Sequence, residues 1–409
     1  MKSLFLLALR NIFRNRRRTL LTFFSMIAGV AAIIVFGGFV EYTFWGLRES
    51  TIKTQLGHIQ IYAKGYTEKG VAQPNNYLLQ HSDEIVRELH DKKGVQAVTR
   101  RLSTSGLIST GEKTISCKVI GVEPEKETEL SSFETIIDGM QLDSSNASKG
   151  GVIGAELMKA LGAKVGDTVT ILTTTGDGML NAVEFQIIGV GQTGSQDYDS
   201  VFVKLPLKRV QELLGTTAVE KVVVLLSETD NLNQFVPILN SEISKNSWNV
   251  EFKTWSELAF FYHKVVQVYK GIFRVVNIII GIVILLGVTN TMSMAIFERV
   301  REIGTLRALG TTQSGILKLF LMEGLLMGII GASLGVIVGI AIATTINLSG
   351  GIPIPPPPGM SRGYLAFIVT PLPLLAFSFG FMVLVTLLSS IYPAYRASRF
   401  KIVDALGHV

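Results

Sequence analysis

Four apolar runs, each about as long as a bilayer is thick, constrain this chain more than any other feature of its sequence. They cover residues 20–40, 275–295, 317–346 and 372–392, and their cores contain no lysine, arginine or aspartate. A helix needs about 20 predominantly apolar residues to cross the hydrocarbon core of a membrane. The sequence therefore predicts four transmembrane helices.

The segment between the first two runs is long and polar enough to form a domain of its own. Alternating apolar and polar residues over His58–Tyr62 predict a half-buried strand, and Ser82 is a good N-cap for a helix over 83–91. Similar signals alternate along the whole segment. The predicted fold class is an α-helical membrane protein with four transmembrane helices and a large mixed α/β extracytoplasmic domain between helices 1 and 2.

Positive charges flank the runs unevenly and predict the topology. Residues 2–18 hold six lysines and arginines and no acid, and further basic residues follow the second run and the fourth run. Cytoplasmic segments of membrane proteins are enriched in such residues. Both termini and the middle loop are therefore expected in the cytoplasm. Because these charges flank spans, they do not indicate nucleic-acid binding.

Two helices are expected to connect the domain to the membrane. The first continues outward from its span, and the second starts at the capping-box sequence Thr254–Glu257 and runs unbroken into the second span, unless Lys270–Gly271 forms a flexible linker.

The predicted organisation is, in chain order, a cytoplasmic amphipathic elbow helix over 1–19, the first span and outward stalk over 20–54, the domain over 55–253, the return stalk and second span over 254–295, a cytoplasmic helix over 296–315, the third span over 316–346, an external Pro-rich loop over 347–371, the fourth span over 372–392 and a cytoplasmic tail over 393–409.

Several kinds of chemistry lack their sequence signature. The chain has no G-x-x-x-x-G-K-[ST] phosphate-binding loop, no H-E-x-x-H zinc motif and one cysteine, Cys117, which excludes an intrachain disulfide. Its five histidines are scattered. We therefore expect no catalytic residue, no metal and no cofactor in this chain.

The segment between the second and third runs predicts a short amphipathic helix. Such a helix can lie on the membrane surface or dock in the groove of a partner protein, and the sequence leaves both open. If it docks, we expect Ile303 and Leu306 to supply the apolar contact and the charges to set the register. The candidate residues of this site are Glu298, Arg299, Arg301, Glu302, Ile303, Gly304, Leu306, Arg307, Leu309 and Gly310.

The third run carries a glycine stripe and an acidic residue, Glu323, for which a structural role is favoured over proton relay. Glycines on one helix face let helices approach closely, in the same chain or in a second copy, although membrane helices are also enriched in glycine generally. The stripe residues recur every three or four positions and share one face: Gly324, Gly328, Gly331, Gly335 and Gly339.

The loop before the fourth run contains Pro353 and Pro355–Pro358. Such a sequence favours a stiff, extended backbone. It could contact the large domain or the spans of a partner, or it could act as a spacer.

Taken together, these residues resemble the permease subunit of MacB/FtsX-type (type VII) ABC transporters, and most of all the LolC/LolE lipoprotein-releasing permeases. The segment Arg299–Gly310 is similar to the coupling helix of that family and is the most specific match. The start (Ala8–Arg18), Glu323 with the glycine stripe, and the ending (Pro393–Ala397 with Asp404–Leu406) also match. The chain lacks the fused nucleotide-binding domain of MacB, and its external domain is larger than that of FtsX.

Within the domain, three segments look more like LolC and LolE than MacB. They are Gly57–Ile61, Gly154–Asp167 and Tyr198–Ser200. The resemblance implies a MacB-like periplasmic domain between the first two spans.

The resemblance also implies partners and a function. A second permease copy or paralogue, a separate ATPase subunit that binds ATP and Mg, and a periplasmic carrier or adaptor are the implied partners. The implied function is lipoprotein release by mechanical transmission across the inner membrane. An FtsX-like regulator of a cell-wall enzyme, or an exporter of a peptide or small molecule, remains the alternative.

The absence of a phosphate-binding loop leads to a direct prediction. The purified chain alone should hydrolyse no ATP, because no loop in its sequence can cradle the nucleotide phosphates. Phosphate release from the detergent-solubilised protein measures this. Robust hydrolysis in a preparation shown to be free of other ATPases would contradict it.

Overall fold

The fold is known from a computed structural model, which describes residues 16–70, 73–356, 360–402 and 405. Most of the predicted elbow helix (residues 1–15), Pro357, Pro358, Asp404 and Leu406 lie outside the described residues. The helices are, in chain order, α1 (Arg16–Thr51), α2 (Ser82–His90), α3 (Pro124–Leu130), α4 (Ala155–Leu161), α5 (Gln196–Asp199), α6 (Leu207–Leu214), α7 (Leu232–Lys245), α8 (Trp255–Leu258), α9 (Phe260–Phe297), α10 (Val300–Ala308), α11 (Gln313–Leu348) and α12 (Leu372–Ser398).

Among the described residues, four helices are long and apolar enough to cross a membrane. They are α1, α9, α11 and α12, and each contains one of the apolar runs of the sequence. The prediction of four transmembrane helices is confirmed. A wide helical turn over Ile52–Leu56 extends α1 beyond Thr51.

The strands lie almost entirely between α1 and α9. They are β1 (Ile59–Ala63), β2 (Val95–Ser109), β3 (Thr114–Val122), β4 (Thr135–Gly139), β5 (Gly150–Gly154), β6 (Thr168–Thr174), β7 (Leu180–Gln192), β8 (Phe202–Pro206), β9 (Lys221–Leu226), β10 (Val250–Thr254), β11 (Ile352–Ile354) and β12 (Tyr364–Ala366). With the intervening helices they form the mixed α/β domain that the sequence predicts.

The chain divides into two compact units. The membrane unit comprises residues 1–45, 265–353 and 365–409, and the domain comprises residues 46–264 and 354–364. The tip of the loop between α11 and α12 therefore belongs to the domain and not to the membrane unit.

The four spans share one packed core inside the membrane unit. Its buried residues come from every span and include Met26, Ile284, Phe320 and Met382. Two hydrogen bonds between spans add to this packing: the Thr22 and Thr291 hydroxyls lie 2.9 Å apart, and the Thr289 hydroxyl donates to the Ser389 carbonyl oxygen over 3.1 Å. Hydrogen bonds of this kind help membrane helices to associate, because lipid competes for apolar contacts.

The domain has one connected sheet with two parts. In the first part, β10, β1, β9 and the beginning of β2 pair in that order, all antiparallel. In the second part, the pairings run from β2 through β3, β8, β5, β7 and β6 back to β2, so six strands close a circuit. Strand β4 pairs with β7 at one edge.

Strand β2 joins the two parts because it is long enough to serve both. Its residues Val95–Arg101 pair with β9, and Leu102–Ser109 pair with β3. The buried side chains of Val98, Leu102 and Ile108 follow it through a single core. The domain thus has a continuous interior from one end of the sheet to the other.

The return connection differs from the sequence prediction at one point. The Thr254/Glu257 capping box is present, but the helix is interrupted at Ala259, where ψ is 55°. Ala259 is buried in a cluster with Ile52 and Trp255. The sequence has no glycine or proline here, so tertiary packing rather than propensity interrupts the helix. Lys270 and Gly271 lie within α9, which continues through them.

Candidate coupling helix, packing face and domain anchor

Helix α10 is a short, sharply bounded connection between two membrane spans. It starts after Arg299 and ends at Ala308, with Leu309 as its C-cap, and the backbone φ of Gly310 is +95°, a left-handed value that favours glycine. The Thr311 N–H donates to the Leu306 carbonyl oxygen over 3.1 Å and closes the end of the helix. The side chain of Thr312 accepts from the Gly315 N–H and caps α11.

The apolar face of α10 packs inside the membrane unit. Val300, Ile303 and Gly304 are buried, and Ile303, which is 3% exposed, lies in the same core cluster as Ile316 and Phe320. Leu306 is half-buried against that cluster. For Ile303 this corrects the expectation of a docking contact, because the chain's own spans already cover its side chain. Leu306 keeps part of its surface exposed, so its contact with a partner stays a prediction.

The opposite face of α10 and its flanking turns are exposed. The exposed residues are charged or small, except for Leu309, which is 79% exposed. Arg307 is half-buried, and its Nη1 donates to the carbonyl oxygen of Phe400, near the end of the described chain. The exposed candidate residues are Glu298, Arg301, Glu302, Leu309 and Gly310. We use the name outer face for four of them, Glu298, Arg301, Glu302 and Leu309.

A buried ion pair fixes the start of α10. Arg299 Nη1 and Glu323 Oε1 are 3.4 Å apart, and the two residues are only 7% and 5% exposed. Both residues stand out in the sequence as candidates for a functional or structural role, but nothing in their spacing predicts that they pair. The pair joins the turn before α10 to α11, and it removes Arg299 from the surface that a partner could contact.

The glycine stripe packs against two spans of this chain. On the first of these, α1, a Cβ at Gly331 would lie 2.8 Å from Met26. A Cβ at Gly335 would lie 2.6 Å from Val30, and one at Gly339 2.9 Å from Ile34. On the second, a Cβ at Gly324 would lie 1.9 Å from the Ser390 hydroxyl oxygen of α12, and one at Gly328 3.2 Å from Thr386 Cβ. Except at Gly328, these distances are below 3.0 Å, which real Cβ atoms essentially never show, so the glycines allow the three helices to approach this closely.

A buried charge cluster in the domain was missed by sequence reasoning. Glu127 of α3 pairs with Arg101 of β2 (Nη2–Oε1, 2.7 Å) and with Lys204 of β8 (Nζ–Oε1, 2.8 Å). The Ser131 hydroxyl donates to the same oxygen over 2.6 Å, and Lys204 also pairs with Glu134. Burial raises the pKa of Glu127, but Arg101 and Lys204 more than offset this and lower it to about 2.

This cluster anchors the end of α1. The Nη1 of Arg101 donates to the Gln55 carbonyl oxygen over 2.5 Å, and the Ser131 hydroxyl reaches the Thr54 carbonyl oxygen at 3.5 Å. Thr54 and Gln55 lie in the wide turn that extends α1, where backbone carbonyls lack helical partners. The available signal was Lys204, the one charge in the otherwise apolar strand β8, since lysine is rarely buried unless it is paired.

A second series of hydrogen bonds holds α1 at Glu49, before the turn that Arg101 contacts. The Thr229 hydroxyl donates to Glu49 Oε1 over 2.9 Å, and His58 Nε2 lies 3.0 Å from the same hydroxyl. The Leu226 N–H donates to His58 Nδ1, which places the imidazole proton on Nε2. Burial lowers the pKa of His58 to about 4, so the ring is neutral. Within the described residues, no group of three or more His, Cys, Asp and Glu residues could hold a metal ion.

Comparison with known protein families agrees with this geometry. The model of the MacB-like periplasmic core domain matches residues 19–241, and that of the FtsX-like permease C-terminal region matches residues 274–402. The chain belongs to the MacB/FtsX-type ABC transporter permeases. The first match covers α1 and most of the domain, and the second covers most of α9 with α10, α11 and α12.

Individual relatives of this permease carry different names. The lipoprotein-releasing system transmembrane protein LolC of Neisseria meningitidis is 23% identical over 83% of this chain and 82% of its own length. The macrolide export ATP-binding/permease protein MacB of Bdellovibrio bacteriovorus is 24% identical over 96% of this chain and 60% of its own length. The crystal structure of the periplasmic region of MacB from Actinobacillus actinomycetemcomitans is similar to 50% of this chain and 92% of that chain, with 17% identity and a TM-score of 0.36.

The glycine contacts predict how the permease responds to added bulk. Gly331→Leu and Gly335→Leu should each lower the amount of folded permease, because inserted methylene groups typically cost about 1–3 kcal/mol even where neighbours can shift. Ala341→Leu is the matched control, since Ala341 lies on the same helix and is exposed. Size-exclusion yield of the solubilised protein measures the effect, and equal yields for all three variants would contradict a packing role.

The ion pair predicts a double-mutant result. Glu323→Met or Arg299→Met alone should destabilise the permease by roughly 3–5 kcal/mol, because each leaves a buried charge without its partner. The double replacement should recover most of that loss. Unfolding of the permease in increasing SDS within mixed micelles measures all four proteins. Additive losses in the double variant would show that the two residues do not act as a pair.

Proposed function

We propose that this permease transmits movement of a cytoplasmic ATPase subunit to its domain on the other side of the inner membrane, and that this movement releases lipoproteins. The observation that carries the proposal is the outer face of α10. It presents Arg301, Glu302 and Leu309 to solvent on a helix whose other face is held in the core of the spans. Permeases of this family work with an ATPase subunit, and the outer face is where this chain offers it a surface.

A coupling surface must resist deformation, and the base of α10 meets that requirement. The Arg299–Glu323 pair and the burial of Ile303 attach α10 to α11 on one side. The contact between Arg307 and the Phe400 carbonyl attaches it to the chain beyond α12. Force applied to the outer face would therefore move the spans rather than bend the loop.

Movement of the spans can reach the domain through α1. This helix continues unbroken from Arg16 to Thr51, and the Arg101–Glu127–Lys204 cluster holds the backbone carbonyl that follows its last turn. In this proposal the termini and α10 lie in the cytoplasm and the domain lies in the periplasm, as the basic residues around the spans indicate. A second permease copy or paralogue would supply the other half of the transporter.

Lipoprotein release is the substrate assignment that fits this chain best. The LolC relative, which carries that activity in its name, aligns with most of both chains. The cores of the four apolar runs hold no lysine, arginine or aspartate, so they offer no charged path for a hydrophilic substrate. A lipid-anchored substrate needs no such path, because its acyl chains are already in the bilayer. A periplasmic carrier would then receive the released lipoprotein.

The proposal predicts that surface and core variants of α10 fail in different ways. Arg301→Glu and Leu309→Ala should weaken association with the ATPase and reduce ATP-dependent release of a triacylated lipoprotein from proteoliposomes, with folded yield unchanged. Leu309→Ala should weaken the free energy of association with the ATPase by about 1–3 kcal/mol if the Leu309 side chain is buried at the contact. Ile303→Ala should instead lower folded yield, because it removes core packing.

Lys208→Glu is the matched control for charge reversal. Lys208 is exposed on α6 of the domain, outside the membrane unit, and its reversal should leave ATPase association unchanged. Wild-type association for both outer-face variants would overturn the coupling assignment. Normal association and hydrolysis without any lipoprotein release would keep the coupling and reject the substrate, in favour of a regulator of a cell-wall enzyme or an exporter.

A further inference from the structure

The tip of the loop between α11 and α12 is hydrogen-bonded to the rest of the domain through Ser361, whose hydroxyl, N–H and carbonyl groups all take part. The Ser361 hydroxyl donates to Asp199 Oδ2 over 2.7 Å, and its N–H donates to the Gly194 carbonyl oxygen over 3.1 Å. The side-chain amide of Gln192 donates to the Ser361 carbonyl oxygen over 3.2 Å. These partners lie at the end of β7 and in the α5 turn.

Asp199 makes the contact specific. Its side chain is fully buried, and Oδ1 accepts from the Thr193 N–H and hydroxyl at 2.9 and 2.6 Å. Oδ2 accepts from Ser361 of the loop. A buried carboxylate needs such donors, and hydrogen bonds to ionised groups are stronger than neutral ones. The loop tip therefore completes the shell of donors around a charge inside the domain.

Two further contacts place the tip on a second element of the sheet and fix its register. Arg362 Nη1 donates to the Thr135 hydroxyl of β4 over 2.8 Å. Met360 forms an antiparallel bridge with Ser195. Three consecutive residues of the loop thus contact both β4 and the turn after β7.

The two ends of the loop are held as well. In the membrane unit, the side chain of Asn347 at the end of α11 exchanges two hydrogen bonds with the backbone of Ile368, at 2.9 and 2.8 Å. Strands β11 and β12 then pair with each other. Pro355 and Pro356 follow β11, and proline restricts the backbone to an extended form. The described part of the loop is thus fixed at its base and at its tip.

We propose that this loop is a third mechanical connection between the spans and the domain, and that it stays docked while the transporter hydrolyses ATP. It would carry movement of α11 and α12 to the domain, beside the connections that α1 and α9 provide. The inference rests on the proposed function, because only a permease whose domain must move needs such a connection. Continued docking is favoured because release would leave Asp199 and Gln192 without their Ser361 partners.

A disulfide across the bridge tests whether the loop stays docked. The Ser361–Gly194 hydrogen bond makes Ser195 and Met360 a non-hydrogen-bonded pair, for which Cα atoms are typically about 4.5 Å apart, within the range that a disulfide spans. Ser195→Cys with Met360→Cys, in a Cys117→Ala background, should form the disulfide on mild oxidation in native membranes. Gel shifts with a thiol-reactive polyethylene glycol count the free thiols. ATP hydrolysis by the complex with its ATPase should not change on oxidation.

Release of the tip tests whether the connection matters. Ser361→Ala with Arg362→Ala should leave ATP hydrolysis intact but lower the lipoprotein released per ATP several-fold, and it should lower the ATP-dependent change in hydrogen exchange of the domain. Ser349→Ala is the matched control, because the Ser349 hydroxyl donates only within its own helix turn, to the Thr345 carbonyl oxygen.

Three results would overturn the proposal. They are failure of the disulfide to form, loss of ATP hydrolysis on oxidation with recovery on reduction, and an unchanged exchange response in the Ser361/Arg362 variant. If the wild-type complex releases no lipoprotein, the substrate assignment fails. The disulfide and hydrogen-exchange measurements would then still decide the tether.

Discussion

Packing of helices in a membrane cannot rely on the hydrophobic effect, because lipid is as apolar as the side chains it would replace. The membrane unit of this permease depends on the alternative, which is close approach along α11. Its glycine face brings Met26 of α1 and Ser390 of α12 to distances that any larger residue would prevent. The position of α10 follows from this arrangement, since Ile303 packs into the core that the spans create.

Charges are buried at both ends of the proposed transmission path, and each is compensated differently. In the membrane unit, Arg299 and Glu323 form a pair between two helical elements. In the domain, Glu127 accepts from Arg101, Lys204 and Ser131 together. Replacing such groups by apolar residues is often neutral or stabilising, so buried ion pairs are weak evidence for stability. Here these ion pairs matter for geometry, because each one holds one structural element against another in a single arrangement.

The sequence predicted the features that depend on local patterns. Apolar runs predict spans by length alone, and the Thr254/Glu257 capping box forms as its spacing indicates. It failed where distant residues decide. Nothing near Ala259 predicts the helix interruption, which arises from packing with Ile52, and amphipathicity could not show which face of α10 the spans already cover. The pairing of Arg101 with Glu127 was equally out of reach, because no local pattern relates a strand to a later helix.

The order of strands in the sheet has a consequence for how the protein is made. The first strand, β1, pairs with β9 and β10 and so joins Ile59 to Thr254. At synthesis rates of about 5–20 residues per second, β1 leaves the ribosome on the order of 10–40 s before its last partner. During that interval its backbone donors and acceptors form an open edge, which can pair with other chains. The loop tip that contacts Asp199 comes later still, so biogenesis of this permease includes a period in which a nearly finished domain awaits its last segment.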